Sequence, residues 1–405
     1  MLCGVHLTPQ EHSIFKVRHQ LREVNEKAYE PEILSIGPYN YGKEKFKSME
    51  EQKMRYVRQM LLRRNEESVD RYMLTLRELE KPARNCYAEN IDHLTPEEFL
   101  GMMFIDGCFI IELFRNYNMR QWRDRDDQLM EADWIKFSLR RDLLLLENQL
   151  PLFVLNKLYD QTKGLNEHLG LIDIATGYFN FDLGDSGRNQ TLGESKHLLH
   201  LMHTCWTSGL PNARLQNSKT ELDIFVSTAT ELKEHGVQLK AARGRHQMDI
   251  KFKNGILEIP VLIVEDDTES RFRNLIAYEQ HRQCRDINYV TEYMSFMDFL
   301  INSSKDVKLL RHKGIIKNNL GDDEVVAQMF NKMGDWVALS DFYYDDISYR
   351  VNKYCNKKWN VRMAKLRRDY FHSPWAFFSV LAAISLLLLT TAQTVFTTPF
   401  FTEQK

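Results

Sequence analysis

The chain lacks the covalent and metal chemistry that organises many small domains. Its six cysteines, Cys3, Cys86, Cys108, Cys205, Cys284 and Cys355, are scattered through 405 residues. They form no C-x-x-C pair and no paired zinc spacing, so neither a disulfide framework nor a zinc module is signalled. Neither G-x-x-x-x-G-K-[ST] nor G-x-G-x-x-G occurs, which removes the two common glycine-rich phosphate cradles. Charge of one sign is also missing. The 54 basic and 56 acidic residues leave a formal net charge of −2, giving no bulk reason to bind nucleic acid. The N-terminus, Met1-Leu-Cys-Gly-Val-His, has no basic start and no apolar run, so no secretory signal is expected. With 43% hydrophobic and 27% charged residues, the length suits one large or two ordinary domains with a substantial core.

What is present is mainly helical periodicity. Thr95-Pro96-Glu97-Glu98 is a strong start signal, with Thr95 as N-cap, Pro96 at the first helical position and Glu98 closing a capping box. The helix it opens runs through Phe99 to Phe114 and is apolar on nearly every side, so it is expected at the centre of the core. Further helices are expected over Lys47–Arg64, Ser68–Leu79, Leu139–Asn148, Pro151–Tyr159, Lys196–Cys205 and Glu221–His235. Later ones are expected over Arg271–Gln283, Thr291–Ile301, Ser304–Lys313, Asp322–Met333 and, as a long basic helix, about Asp345 to Tyr370. One segment departs from this period. Asn254-Gly255 is a two-residue hairpin signal that sets Phe252 opposite Leu257, Ile250 opposite Ile259 and Met248 opposite Val261, with Lys251 across from Glu258. Pro260 then belongs on an edge strand or at a strand end.

The end of the chain has no charge from Ser373 to Thr402. Pro374 to Phe396 would rise ~34 Å as a helix, against a hydrocarbon core of ~30 Å, so a transmembrane helix is expected with Trp375 and Phe396 at its ends. The basic residues upstream, from Arg350 to Arg368, place the bulk of the chain in the cytosol, and the sequons at Asn189 and Asn302 would then go unused. Ser379 and Ala383 form a small-xxx-small pair that would permit a homo-oligomer. The expected fold is therefore mainly α. A large helical domain occupies residues 1–372, with a hairpin at about 248–261. A transmembrane helix follows over 373–397, and a short tail over 398–405.

Three carboxylates stand within apolar stripes. Asp106 shares a face with Met102, Met103, Phe109, Ile110 and Leu113; Glu147 follows Leu143 and Leu144; Glu279 follows Phe272, Leu275 and Ile276. Amide side chains accompany them at Asn148, Gln149, Asn274 and Gln280. Buried acids need partners or raised pKa values. A structural polar network is the simpler expectation, and an enzyme, for example a membrane-associated hydrolase, is the alternative. His197, His200 and His203 recur every third residue near Cys205, but that spacing spreads the rings around the helix instead of converging them on a metal. Gly184-Asp-Ser-Gly187 matches a serine-protease loop in four letters only, without a strand framework or a placed His–Asp pair. No catalytic constellation, metal or cofactor is expected.

Several long motifs carry a resemblance: Ala28-Tyr-Glu-Pro-Glu-Ile-Leu-Ser-Ile-Gly-Pro-Tyr-Asn-Tyr-Gly42, Met49-Glu-Glu-Gln-Lys-Met-Arg-Tyr56, Asp142-Leu-Leu-Leu-Leu-Glu-Asn-Gln-Leu-Pro-Leu-Phe153, Asn274-Leu-Ile-Ala-Tyr-Glu-Gln280 and Tyr370-Phe-His-Ser-Pro-Trp375. On these the chain resembles the plant "domain of unknown function 247" family. The resemblance implies a land-plant protein with a helical domain and a C-terminal membrane span, and no catalytic residues to carry over. Some relatives are linked to self-incompatibility in grasses, which implies a recognition or signalling role. Two departures stand out: the segment before Ala28 is short, and Val17-Arg18 stands where the family tends to have Val-Pro. The expected partners are a lipid bilayer and an unidentified protein, with the bulk of the chain on the cytosolic side.

Overall fold

The computed structural model describes residues 12–119, 127–164, 167–181, 190–208, 210, 227–242, 246–282, 287–339, 343–357 and 374–397. Its centre is the helix Pro96–Asn118, which starts as the sequence dictates: Thr95 Oγ1 accepts the Glu98 amide at 3.3 Å, and Glu98 Oε2 accepts the Thr95 amide at 2.9 Å. Because this helix is apolar on nearly every side, it can be surrounded. The helices Lys47–Arg63, Asp70–Arg84, Leu152–Thr162 and Leu171–Phe179 pack around it. Phe99, Cys108, Phe109, Ile110, Ile111, Leu113 and Phe114 are fully buried there, and each large apolar side chain contributes roughly 2 kcal/mol by leaving water.

A second core gathers the later helices Thr268–His281, Tyr289–Leu300, Ser304–His312 and Asp323–Met333 with two small sheets. The strands are β1 (Gln238–Ala242), β2 (Lys251–Lys253), β3 (Ile256–Pro260), β4 (Leu262–Val264) and β5 (Ile316–Asn318). One sheet has the order β1-β3-β2, with β1 parallel and β2 antiparallel to β3; the other pairs β4 with β5 in parallel. Two segments serve both cores. In the helix Leu198–Thr207, Leu198, Leu201 and Cys205 face the first core while Leu199 and Met202 face the second. Within 143–150, Leu143 and Leu150 enter the first core and Leu144 and Leu146 the second.

The hairpin keeps its expected register at Phe252↔Leu257 and Lys251↔Glu258. Asn254 (φ 53°) and Gly255 (φ 78°) both take left-handed backbone, as a type I′ turn requires. The pairing is shorter than expected, since Met248 to Ile250 turn away instead of extending β2. Pro260 does end its strand, but β3 is the central strand, not an edge. Its missing N–H is tolerated because the ladder stops there. The single β element expected is thus two sheets, whose parallel pairings join residues far apart in sequence.

Two further expectations are corrected. The helix expected over Leu139–Asn148 ends at Asp142, and 143–151 is a run of turns. The expected transmembrane helix is also overturned. The chain does form a helix at Pro374–Thr397, but among the described residues no helix is long and apolar enough to cross a membrane. The segment lacks charge, yet Ser385, Thr390, Thr391, Gln393 and Thr394 interrupt its apolar surface. The densest apolar part, Leu381 to Leu389, rises ~13 Å as a helix against a ~30 Å hydrocarbon core. Phe396, expected at one end of a span, is exposed, and the side chain of Trp375 is outside the described residues. So are Gly184 to Gly187 and the basic stretch after Lys357; the helix preceding it is Asp345–Cys355.

Candidate functional site

The expected polar residues fall into three linked clusters, each closing a carboxylate or amide on backbone groups. Asp106 lies on the central helix, 3% exposed. Its Oδ1 accepts from Lys53 Nζ at 2.6 Å and its Oδ2 from the Gly37 amide at 2.9 Å. Lys53 also donates to Glu50 Oε1 at 2.6 Å and to the Ser35 carbonyl at 2.5 Å, so its three protons have three acceptors. Burial alone would discharge the ammonium, but Asp106 and Glu50 outweigh it and hold the Lys53 pKa above its ordinary value. Burial pushes the Asp106 carboxyl up, against the pull of Lys53 and the Gly37 amide. Gly37 sits in the left-handed region at φ 73°, where a Cβ would come within 2.6 Å of the Gln149 carbonyl. Only glycine lets the loop approach both Asp106 and Gln149.

The second cluster is the turn segment itself. Asp142 has no exposed surface, and its two oxygens take the amides of Glu32, Ile33 and Leu34 at 2.8–2.9 Å together with Arg141 Nη1 at 2.9 Å. Burial raises its pKa, while those amides and Arg141 pull it down. Asn148 Oδ1 accepts the Ile36 amide at 2.7 Å, and its Nδ2 donates to the carbonyls of Leu34 and Asp142 at 3.0 and 2.9 Å. Gln149 Nε2 donates to the carbonyls of Leu143 and Leu145, each at 2.8 Å, and its Oε1 accepts the Leu199 amide at 3.2 Å. These side chains take the carbonyls that a continued helix would have used, which is why the helix stops at Asp142.

The third cluster joins the second core. Asn274 Oδ1 accepts the Leu146 amide at 2.9 Å, and its Nδ2 donates to the carbonyls of Ala28 and Ser270. Glu147 is only partly buried; its Oε1 takes the Val17 amide and Arg22 Nη2, each at 2.6 Å. Glu279 is 2% exposed and takes four donors: His203 Nε2 at 2.7 Å, the amides of Val290 and Thr291 at 3.0 and 2.8 Å, and Thr291 Oγ1 at 2.7 Å. Burial alone would raise the Glu279 pKa, but His203 and Thr291 more than reverse it, so it lies below the usual carboxylate value. Gln280, partly exposed, clamps the backbone of Ala338 through Nε2 at 2.9 Å and Oε1 at 3.1 Å.

The three histidines do not converge on a metal, and no group of three or more His, Cys, Asp or Glu among the described residues is placed to hold one. Their rings instead surround Tyr278, with ring centroids 5.3–5.5 Å away. His197 Nε2 donates to the Ser13 carbonyl at 2.9 Å while its Nδ1 caps the helix by accepting the His200 amide at 3.2 Å. Burial lowers His197 to about 3 and His200 to about 2, so both rings are neutral near pH 7.

Sequence reasoning missed Lys53, Asp142 and His203 as partners. Lys53 was visible as the one charged residue in the buried stripe Met49, Tyr56, Val57, Met60. Asp142 carried no such signal, because the expected helix Leu139–Asn148 puts it in the first turn, where an acid is favourable; only the structure places it in the last turn of Asp133–Asp142.

Fold and site define a mainly helical protein with two apolar cores, tied together by buried carboxylates and amides that are closed on backbone groups. The chain belongs to the family of domain of unknown function 247, described as a plant protein of unknown function, whose profile matches residues 14–389. It is 30% identical over 417 residues to the UPF0481 protein At3g47200 of Arabidopsis thaliana, covering 94% of this chain and 85% of that protein. It is 24% identical over 478 residues to the putative UPF0481 protein At3g02645 of the same plant, covering 94% and 89%. No solved structure matches the chain.

Proposed function

We propose that this plant protein is a non-enzymatic interaction component, of the recognition or signalling kind. The observation that supports this is the closure of its buried acids. Asp106, Asp142 and Glu279 are each bonded on both oxygens by backbone amides, a lysine, an arginine, a histidine or a hydroxyl, and the cleft of about 310 Å³ is lined by none of them. A general acid or base needs a substrate proton within hydrogen-bond reach; these oxygens face the protein's own backbone. Their role is to hold the loop 32–37, the turn segment and the two cores in register. The test is Asp106→Asn, Glu147→Gln and Glu279→Gln, made separately. Structural acids lower the unfolding midpoint of each variant, by about 1–3 kcal/mol for the buried two. Variants that keep wild-type stability but lose a hydrolytic turnover shown by the parent chain would replace this reading with the enzyme.

A lipid bilayer belongs to the same proposal as a contact surface. Leu386 to Leu389 in the C-terminal helix are each 65–68% exposed, and exposed leucines in a row favour an apolar partner phase. Flotation of the full chain with phosphatidylcholine vesicles tests this, and recovery only in the unbound fraction would remove the bilayer from the proposal.

A further inference from the structure

One exposed tryptophan is held in a backbone conformation that tryptophan disfavours. Among the described residues, positive φ outside glycine occurs at Asn65, Asn180, Asn254 and Trp336, the last at φ 60°. Asparagine tolerates the left-handed region because its short polar side chain can bond locally; a bulky side chain there is a genuine outlier. Trp336 gains little burial in exchange, since 69% of it is exposed. The mount imposes the conformation. The Val337 amide closes a turn on the Gly334 carbonyl at 3.3 Å, Arg273 Nη2 holds the Lys332 carbonyl at 3.2 Å before it, and Gln280 clamps Ala338 after it. Strain that packing does not repay clusters at ligand clamps and other working sites.

Two carboxylates stand at the same turn. Asp335 directly precedes the tryptophan and is exposed. Asp298 is half-buried near the end of the helix Tyr289–Leu300 and reaches the turn, where a Cβ on Gly334 would lie 3.3 Å from its Oδ2. Neither carboxylate takes a hydrogen bond or an ion pair from a described residue, and the exposed Lys332 pairs with neither. Burial, and then Asp335, push Asp298 up to about 6, as two acids with no cation between them require. An exposed indole with two unpaired acids is complementary to a cation. It suits a guanidinium best, which stacks flat on tryptophan and can meet a carboxylate through two N–H groups. We propose that Trp336, Asp298 and Asp335 form a docking point for an arginine side chain of a basic protein partner. The proposal rests on the interaction reading above and names the partner's chemistry.

Tetra-arginine amide and uncharged tetra-glutamine amide, titrated calorimetrically into the full chain at low ionic strength, are the probes. Tetra-arginine is expected to bind saturably and tetra-glutamine to give no binding heat. Asp335→Asn and Trp336→Asn are each expected to weaken tetra-arginine at least about fivefold, the worth of one exposed cation–π or charged contact. Trp336→Phe keeps an aromatic face and should weaken it less than Trp336→Asn. Glu97→Gln removes an exposed acid elsewhere on the chain and should leave binding unchanged. Trp336→Asn also eases the backbone and gives up little burial, so its ligand-free melting temperature should be equal or higher. Absence of saturable binding, equal binding of tetra-glutamine, undiminished binding in Asp335→Asn or Trp336→Asn, equal weakening by Glu97→Gln, or a lowered melting temperature in Trp336→Asn would each overturn the proposal. Such a failure removes this docking point alone, because the non-enzymatic reading is decided by the variants of Asp106, Glu147 and Glu279.

Discussion

Asp106 in the first core and Glu279 in the second show two ways of meeting a buried carboxylate. The first core sets cations against its buried acids. Lys53 is set against Asp106, and fully buried Arg115 is held by Glu112 at 2.7 Å and by Glu167 at 2.8 Å. The second core surrounds its carboxylate Glu279 with amides, a hydroxyl and an imidazole. The difference follows from the elements available. The first core is built round a helix with no exposed face, and Asp106 on it is met by a long side chain from a neighbouring helix, Lys53, beside the Gly37 amide. In the second, the start of the helix Tyr289–Leu300 presents free amides to Glu279, and a carboxylate at a helix N-terminus is favoured without a cation. An ion pair leaves a stranded charge when one partner is removed; a carboxylate held by amides does not.

The largest effect should therefore come from Lys53→Met. It leaves Asp106 buried and without its cation, and the expected loss is about 3–5 kcal/mol in urea unfolding. Adding Asp106→Leu should recover most of that loss, apart from the Gly37 amide left without its acceptor. If the double variant is as unstable as Lys53→Met alone, ion pairing is not what distinguishes the first core.

The next effect concerns pH, and it falls on the histidine seam between the cores. The folded pKa of His197, about 3, lies below the ordinary imidazole value of about 6.5. The unfolded chain therefore binds more protons between those values. The stability tied to this ring is complete above pH ~6.5 and is lost as the pH falls towards 3. His200 adds to the same loss in the same direction. Unfolding midpoints at pH 7 and pH 5 should differ by up to about 2 kcal/mol for each ring, from ~1.4 kcal/mol per unit. His197→Asn, which keeps a capping acceptor but does not titrate, should flatten the profile by one proton. An unchanged slope in that variant would place the acid sensitivity elsewhere.

The seam also marks the limit of what the sequence makes legible. Signals confined to a few neighbouring residues are readable. Thr95 and Glu98 specify a helix start by themselves, and Asn254-Gly255 fixes the register of Phe252 with Leu257. Leu143, Leu144 and Glu147 mislead because a folded turn segment can show helical spacing while its carbonyls are taken by Asn148 and Gln149. Strands β1 and β5 give no local sign of pairing, since their partners arrive from other parts of the chain. At the C-terminus, absence of charge was visible, but it is not the same property as continuous apolar surface. Asp106, Glu147 and Glu279 could be picked out as acids among apolar residues; that Asp106 meets Lys53 and Glu279 meets His203 is tertiary information.

The smallest predicted effect compares helix caps in the two halves. Thr95 caps the central helix through a box that involves only its own first turn. Ser303 caps the helix Ser304–His312 through Asp306, whose Oδ1 also accepts the Thr230 amide at 2.9 Å and Thr230 Oγ1 at 2.6 Å. Replacing either capping residue by alanine should reduce stability by about 1 kcal/mol, the usual worth of an N-cap side chain. The values should agree because Asp306 keeps its bonds to Thr230 when only the Ser303 hydroxyl is removed. If Ser303→Ala proves at least twice as damaging as Thr95→Ala in the same urea titration, its hydroxyl must be holding Asp306 in place for Thr230. The cap would then be part of the packing between helices, and the second core would depend on shared polar contacts even at its edge.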